Sequence, residues 1–264
     1  MTNLHTLKQW VKTSDHPIAR SVFNIHQQIR FAEVPPVRLI YIPLRIIHQL
    51  VTGVASTILR IAYWTPMFKA RLAAPCKRLF LYGGMPLIQG TLSLKVGDRC
   101  RLSGQTTFSG RWCSKETPQL VIGNNVGIGW QTTIAVGSKV IIGDNVRIAG
   151  RGFLAGYPGH PIDADARAAG KPDTDDQVGD IILERDVWLG TNVTVMKGVT
   201  IGAGTIVATG SVVTRDLPAG VLAAGAPAKV IKDLQASDTP ESTDLRSVSP
   251  FSAKKAAEVQ EGAA

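Results

Sequence analysis

The chain of 264 residues is poor in cysteine and in aromatic residues, and each shortage excludes a class of protein. Cys76, Cys100 and Cys113 form an odd set without a repeated spacing, which argues against a disulfide framework and against a zinc ribbon. Aromatic residues make up 6% of the chain, whereas it has 26 glycines and 44% hydrophobic residues. We therefore expect a reduced, cytoplasmic protein whose core is filled by small aliphatic side chains.

Acidic residues are nearly missing from the first 80 positions. That segment has 11 Lys/Arg and 2 Asp/Glu, whereas residues 81–264 hold 18 of each kind, so the whole net charge of +9 lies in the first segment. This predicts attraction to an anionic partner there. The uninterrupted apolar run between Arg45 and Arg60 has 14 residues, short of the roughly 20 that a spanning helix needs. The start of the chain also has no recognisable signal peptide.

Three helices are predicted in this basic segment. Ser14–Pro17 combines a capping side chain with a proline in the first turn, and begins a helix that runs to about Glu33. The second helix spans about 37–63 with a bend at Pro43, and the third spans about 66–80. Both are apolar on one side and basic elsewhere. This pattern fits an in-plane contact with a membrane surface, and equally a helical cap packed on the rest of the protein or on a neighbouring subunit.

A six-residue repeat dominates residues 181–217. Set in sixes, this stretch has an aliphatic residue at every first position and a small or branched residue at every fifth. A helix repeats its apolar face at three and four and a simple strand at two, so a period of six indicates the short strands of a parallel β-helix. The first positions are Leu183, Leu189, Val195, Ile201, Val207 and Val213, and the fifth are Val187, Val193, Val199, Thr205, Ser211 and Leu217.

Weaker hexads extend the predicted β-helix back to about residue 92 and forward to about 222. Their first positions are Val96, Leu102, Phe108, Ile122, Ile128, Ile134, Ile142 and Ile148, and the residues four places on are Cys100, Thr106, Trp112, Val126, Thr132, Ser138 and Val146. We divide the chain into a basic helical segment (1–85), a β-helix domain (86–235) and a Ser/Asp/Glu/Ala-rich tail (236–264) that is predicted to be disordered.

A polar segment interrupts the repeat between residues 150 and 180. Long excursions from a compact repeat often carry function, and this one holds His160, the only histidine of the β-helix domain. An imidazole can accept a proton from a hydroxyl or an amine near neutral pH. A nearby aspartate could orient the ring, and the residues leave the choice open among Asp163, Asp165, Asp173, Asp175, Asp176 and Asp180.

The motifs H-P-x-D, D-V-W-L-G, M-K-G-V-T-I-G-A-G, T-G-S-V-V-T-R-D-L-P-A-G and A-G-A-P-A-K-V-I follow one another between His160 and Ile231. In this order they resemble the hexapeptide-repeat acyltransferases, in particular the maltose/galactoside O-acetyltransferase type. The resemblance implies an all-β left-handed parallel β-helix behind the N-terminal helices, and a homotrimer that binds acetyl-CoA as co-substrate between subunits. It also implies that His160 deprotonates the acceptor hydroxyl, which attacks the thioester directly, without a covalent enzyme intermediate.

The same resemblance implies a set of coenzyme-binding residues. Trp188 is expected to form a wall of the site, Thr191 to lie beside the thioester arm, and the backbone at Thr209 to touch the pantetheine. Thr214 and Arg215 are expected near the adenine and phosphate end. The phosphates are expected to meet Lys229 and Lys232. No metal site is implied.

The sequence departs from sugar acetyltransferases at the acceptor. The positions where that branch carries an acceptor-binding Asn and Asp align here with Gly129 and Gly137, with Trp130 alongside. Together with the basic N-terminal segment, this predicts an acceptor at the inner face of the cytoplasmic membrane, such as a lipid-linked glycan or a surface-polysaccharide precursor. The alternatives are an N-acetyltransferase acting on an amino sugar or small xenobiotic, and a non-catalytic β-helix scaffold.

The sequence does not predict nucleic acid as a partner. It also does not predict either of two other classes of β-helix protein. A carbonic-anhydrase-type site needs three histidines, and the β-helix domain has one. A sugar nucleotidyltransferase needs an N-terminal α/β domain with a Gly-rich phosphate loop, which the first 85 residues do not encode.

Overall fold

A computed structural model describes residues 2–234 of the chain. The chain divides into two compact units between Ala55 and Ser56, and the predicted helical segment, 1–85, spans this division. The tail predicted to be disordered, 236–264, lies outside the described residues.

The first unit is helical. Pro17 lies in the first turn of the second helix, and the His16 imidazole Nδ1 accepts a hydrogen bond from the Ile18 amide at 3.3 Å, which confirms the predicted start. A helix before it was not predicted, because no capping signal precedes it. The helices are α1 (Thr2–Thr13), α2 (Pro17–Arg30) and α3 (Arg38–Leu59), and α3 keeps Pro43 inside it.

No residue of α3 is buried. The helix continues through a π-helical turn, Arg60–Trp64, into α4 (Thr65–Lys69). By length and composition the stretch Arg38–Lys69 could cross a membrane. The sequence rule treated the arginines as ends of the apolar run, whereas one continuous helix of 32 residues contains them.

The predicted third helix, 66–80, is wrong in its length because α4 ends at Lys69. Phe68 is buried with its ring centroid 6.4 Å from that of Phe108, so this turn is fixed by packing on the β-helix core. Pro75 cannot continue a helix. Phe80–Tyr82 then pairs as a strand with the next coil, so the β-helix begins earlier than predicted.

Short strands wind through three sheets in rotation. In the described part they are β1 (Phe80–Tyr82), β2 (Leu87–Gln89), β3 (Ser93–Val96), β4 (Arg101–Ser103), β5 (Thr107–Gly110), β6 (Gln119–Ile122), β7 (Gly127–Ile128), β8 (Thr133–Val136), β9 (Lys139–Ile142), β10 (Arg147–Ile148), β11 (Phe153–Ala155), β12 (Ile181–Leu183), β13 (Trp188–Leu189), β14 (Thr194–Met196), β15 (Thr200–Ile201), β16 (Ile206–Val207), β17 (Val212–Val213), β18 (Val221–Gly225) and β19 (Ala228–Asp233).

The three sheets form the faces of a prism. Face A runs β1-β4-β7-β10-β13-β16-β18-β19, face B runs β2-β5-β8-β11-β14-β17, and face C runs β3-β6-β9-β12-β15. All pairings are parallel except that of β19 with β18. We call the corners where the chain passes between faces edge AB, edge BC and edge CA. The parallel β-helix that the hexads predict is confirmed.

The hexad residues stack inside this prism. Every first and fifth position between Leu183 and Leu217 is buried, which fits the aliphatic core that the composition predicts. Trp112, a fifth position of the weaker hexads, departs from this pattern because it is 71% exposed. It lies at edge BC in an insertion between β5 and β6, where the chain has left the regular coil. Ser138, another fifth position of the weaker hexads, is exposed at the same edge.

Polar residues build the turns at edge CA. Asn125, Asn145 and Asp186 occupy successive coils with φ of 54°, 61° and 64°, a region that Asn and Asp tolerate better than other side chains. The Asn125 side-chain amide donates to Asn145 Oδ1 at 2.8 Å, and that of Asn145 donates to Asp186 Oδ1 at 2.9 Å. This ladder holds the coils in register on one edge.

Candidate active site

The loop that carries His160 leaves the prism at edge BC. The repeat does not stop at residue 150 as predicted, because β11 completes its coil with Leu154 buried. The loop therefore spans 156–180 and contains a short helix, α5 (Ala164–Ala168). His160 is exposed.

None of the candidate aspartates orients the His160 ring by a hydrogen bond within residues 2–234. Asp163 caps α5 through the Ala166 amide at 2.7 Å. Asp180 bonds to the Ser138 hydroxyl. Asp173 and Asp175 bind Arg111 instead. The structure thus gives these carboxylates roles in holding the loop rather than the imidazole.

A buried ion pair fixes the loop to the β-helix. Arg111 Nε lies 2.8 Å from Asp173 Oδ1, and its Nη2 donates to the Asp173 carbonyl at 2.7 Å. Both side chains are at least 95% buried. The other carboxylate oxygen, Asp173 Oδ2, accepts from the Gly159 amide at 3.1 Å. Because Gly159 immediately precedes His160, the pair holds the backbone that presents the imidazole. We call Arg111 and Asp173 the loop anchor.

The loop anchor has shifted ionisation equilibria. Burial alone would raise the pKa of Asp173, but hydrogen bonds from Arg111, the Cys113 thiol and the Gly159 amide outweigh it, so this pKa lies below its ordinary value. Burial, and then the hydrogen bond to Asp173, raise the pKa of the Cys113 thiol. At neutral pH the anchor is therefore an arginine–carboxylate pair with a protonated thiol as a further donor.

Weaker contacts complete the seating of the loop. The hydroxyls of Tyr157 and Ser109 share a hydrogen bond of 2.7 Å. Lys197 Nζ donates to the Asp176 carbonyl at 3.0 Å. Gln177 Nε2 lies 3.4 Å from the carbonyl of His160 itself. These bonds bring the loop against face B and against the next coil of edge BC.

Loop residues close to His160 in the sequence form part of an apolar recess of about 200 Å³. Its wall includes Tyr157, Pro158 and Ile162 from the loop and Met196 from β14. Sequence reasoning missed this recess and the loop anchor. A signal for the anchor was present, since Arg111 directly follows the strand that contains Phe108, but no periodic rule pairs it with a residue 62 positions away.

The residues expected to bind coenzyme fall on two edges and one face of the prism. Trp188 stands on face A, 53% exposed, and Thr191 and Thr209 follow it on successive coils of edge AB. Gly190 allows their close stacking, because a Cβ there would lie 2.6 Å from the Thr209 amide nitrogen. This edge is not the one that carries His160.

The remaining predicted residues lie near the end of the β-helix. Thr214 and Arg215 are exposed on edge BC, two coils beyond the His160 loop. Lys229 and Lys232 lie on β19 at the end of face A. One chain therefore brings His160, Thr214 and Arg215 to edge BC. Thr191 and Thr209 lie on edge AB, next to Trp188 on face A.

Comparison with known proteins identifies the repeat. Residues 180–215 match the family model of the bacterial transferase hexapeptide (six repeats). The chain therefore carries this hexapeptide repeat at residues 180–215. The matched segment contains Trp188, Thr191, Thr209, Thr214 and Arg215, whereas His160 lies before it.

Two curated relatives carry the resemblance beyond the repeat itself. Galactoside O-acetyltransferase of Escherichia coli (strain K12) is 37% identical over 117 residues, which are 44% of this chain and 55% of that protein. The 2,3,4,5-tetrahydropyridine-2,6-dicarboxylate N-acetyltransferase of Clostridium perfringens (strain SM101 / Type A) is 55% identical over 53 residues, 20% of this chain and 22% of that protein. The chain thus spans about half the length of the first relative and less of the second. These names confirm the resemblance to hexapeptide-repeat acyltransferases.

A solved structure shows the same fold. A single-residue mutant of AntD, an N-acyltransferase from Bacillus cereus, in complex with dTDP-4-amino-4,6-dideoxyglucose and coenzyme A, superposes with a TM-score of 0.51 at 19% identity. The superposition covers 64% of this chain and 87% of that chain. At this level of identity the likeness concerns the fold alone.

Proposed function

We propose that the hexapeptide-repeat protein is an acetyl-CoA-dependent O-acetyltransferase that acts on a hydroxyl of a surface-polysaccharide or lipid-linked glycan precursor. The observation that carries this proposal is His160, the one histidine of the β-helix domain, presented on a loop that the buried loop anchor fixes through the Gly159 amide. General-base catalysis requires an imidazole presented to the acceptor, and the anchor holds the backbone from which this side chain extends. The 37% identity with a galactoside O-acetyltransferase supports the reaction class.

The reaction needs one proton carrier. The His160 imidazole accepts the proton of the acceptor hydroxyl while the oxygen attacks the thioester carbonyl carbon. The tetrahedral intermediate collapses, the carbon–sulfur bond breaks, and the imidazolium returns its proton to the coenzyme thiolate. Backbone amides of the coil would stabilise the oxyanion, and Trp188 would form a wall beside the thioester.

The division of the predicted residues between two edges supports a site built from two copies of the chain. In a ring of three left-handed β-helices, edge BC of one subunit would face edge AB of the next. His160 would then meet Thr191 and Thr209 of the neighbouring subunit. Such a head-to-tail contact is heterologous and closes when the rotation per subunit is 120°.

The exposed helix α3 supports an acceptor at the membrane. Arg38, Arg45, Gln49, Ser56 and Arg60 are spaced by seven and four residues, which places them in one polar stripe along the helix. The remaining surface is mostly aliphatic and exposed. A helix of this kind can lie in the interface of an anionic bilayer. The competing arrangement is a cap on a neighbouring subunit.

The test of this function is acetyl-CoA turnover by the purified full chain with extracted membrane glycolipids. We expect His160→Ala to reduce turnover by about 10²–10⁴-fold, the usual share of a general base, without changing acetyl-CoA binding. The control His26→Ala removes an exposed histidine of α2 and should leave turnover unchanged. Equal turnover in wild type and His160→Ala would refute the proposal.

An N-acetyltransferase is the second candidate, because the 53-residue match to an N-acetyltransferase is the higher of the two identities. The same imidazole would accept a proton from an amine. Paired acceptors that differ only in carrying an amine or a hydroxyl at one sugar carbon separate the two reactions. If wild type and His160→Ala both failed to bind acetyl-CoA, a non-catalytic scaffold would be the better account.

A further inference from the structure

We infer that a trough on face A binds a negatively charged group of the acceptor, either a phosphate or a carboxylate. The trough has a volume of about 250 Å³ and lies between Tyr82 and Trp188, with Arg101, Gly127 and Arg147 among its lining residues. The orientation of the bound acceptor rests on the proposed function, whereas the choice of an anionic ligand rests on the charge and geometry of the trough.

The trough exists because one coil has no side chain on the outer side of face A. The strand register stacks Arg101, Gly127, Arg147 and Trp188 in one column of face A. At about 4.8 Å per strand, the two arginines begin about 10 Å apart with only glycine backbone between them. A Cβ on Gly127 would lie 3.2 Å from Arg147 Cδ, so glycine also lets the Arg147 side chain lie across the floor.

The two arginines face the trough without acidic partners. No aspartate or glutamate lines it, and the ion pairs found among residues 2–234 include neither Arg101 nor Arg147. Arg147 donates to the carbonyl oxygens of Asn125, Asn145 and Val146, which fixes its guanidinium and leaves its charge uncompensated. A fixed guanidinium is the side chain suited to carboxylate and phosphate groups.

Aromatic side chains close the two ends. The Tyr82 hydroxyl donates to the Ile128 carbonyl at 3.1 Å, which lays its ring along the trough. Trp188 is 53% exposed at the opposite end. A concave site with apolar walls and a few placed polar groups is the usual form of a small-molecule site, and a volume of about 250 Å³ suits about one sugar unit with its charged substituent.

The position of Trp188 orients the ligand. Among the expected coenzyme residues, Lys229 and Lys232 on this face and Thr209 on the adjoining edge AB all lie on the C-terminal side of Trp188, whereas the trough lies on its N-terminal side. An acyl group beside Trp188 would therefore separate coenzyme from acceptor. The anion would lie within about three strand spacings, or about 15 Å, of Trp188. We infer an anionic glycan unit as the acceptor.

Binding of defined probes to the full-length protein tests the trough. We would titrate glucose 1-phosphate, glucuronic acid and glucose by calorimetry into wild type, Arg101→Met and Arg185→Met. Arg185 is the matched control, because it is an exposed arginine on edge CA paired with Asp186 at 3.0 Å and does not line the trough. Gly127→Val is a second variant that fills the floor and keeps every charge.

We expect at least one anionic probe to bind more tightly than glucose. Arg101→Met should weaken that binding about tenfold to a hundredfold, the range for a hydrogen bond to a charged group, and Gly127→Val should weaken it as well. Arg185→Met should not. Preference for glucose 1-phosphate identifies a phosphate ligand, and preference for glucuronic acid a carboxylate. Equal binding of all three probes, no binding of either anion, or equal losses in the two arginine variants would overturn the inference.

A separate readout keeps this result distinct from the proposed function. Acetyl-CoA turnover and its dependence on His160 are measured on the same preparations. If turnover does not depend on His160 but the probes still bind, the proposed enzymatic function is refuted and the anion site remains supported. If turnover depends on His160 but Arg101→Met changes the binding of no probe, the anion site is refuted and the proposed enzymatic function remains supported.

Discussion

The β-helix and the helix α3 contain the same aliphatic residue types in opposite surroundings. Leu183, Leu189 and Val195 are completely buried by the coils above and below them. Ile47 and Leu50 of α3 are 57% and 65% exposed. The β-helix thus buries its apolar side chains within one chain, whereas α3 has apolar surface left for another partner. Three experiments test this difference.

The largest effect on the structure is expected at the loop anchor, where an ion pair is buried almost as completely as the apolar core. Arg111→Met leaves the Asp173 carboxylate buried without its cation, which costs about 3–5 kcal/mol. Because the loop can leave the prism to hydrate that charge, we expect loop 156–180 to detach while the coils remain folded. Limited proteolysis of the loop and hydrogen exchange at the Gly159 amide measure this.

The matched control is Arg185→Met, which removes an exposed ion pair worth at most about 1 kcal/mol. In this variant, loop 156–180 should stay as protected from proteolysis and hydrogen exchange as it is in wild type. If Arg111→Met and Arg185→Met gave the same Gly159 protection, the buried pair would not be what seats the His160 loop.

The next effect compares one substitution in the two regions. Leu154→Ala in β11 opens a cavity in the β-helix, and we expect the free energy of unfolding to fall by about 2–5 kcal/mol. Leu50→Ala in α3 removes an exposed side chain, and we expect a change within about 0.5 kcal/mol. Denaturant unfolding followed by circular dichroism provides both values. A loss of several kcal/mol in Leu50→Ala would show that α3 packs on protein in solution.

The smallest effect concerns the partner of α3. If α3 lies on a bilayer, Leu50→Glu should weaken binding to vesicles of anionic lipid by about 1.5–3 kcal/mol, the value of one buried aliphatic side chain. Thr52→Glu, on the polar stripe, adds the same charge and should have a smaller effect. Co-sedimentation with vesicles measures both. Vesicle binding that is indifferent to both changes would favour the protein-cap arrangement.

The repeat could be predicted because its cause is local and periodic. An aliphatic side chain every six residues, from Leu183 to Val213, requires only that successive coils have equal length. The third helix could not be predicted in full, because its end is set by Phe68 packing near Phe108, a contact between distant parts of the sequence. Trp112 departs from the pattern of buried fifth positions for a related reason, since an insertion moves it off the coil while its spacing still fits.

The candidate site was predictable in part. His160 stood out because it is the one histidine of the β-helix domain, and the motifs that follow it carry the resemblance to the hexapeptide-repeat acyltransferases. The loop anchor joins residues 62 positions apart, and no spacing rule connects them. The division of the expected coenzyme residues between edge AB and edge BC also follows only from the way that the coils close, which a list of motifs does not contain.

The central claim is that His160 of one subunit acts on coenzyme bound along edge AB of its neighbour. Two inactive variants test it most directly: His160→Ala, and Thr209→Trp, which would obstruct edge AB. After co-refolding the two in equal amounts, random assembly into a head-to-tail ring leaves both elements intact at about a quarter of the sites. We therefore expect about a quarter of wild-type acetyl-CoA turnover in the mixture. Turnover no higher than that of either variant alone would contradict a shared site.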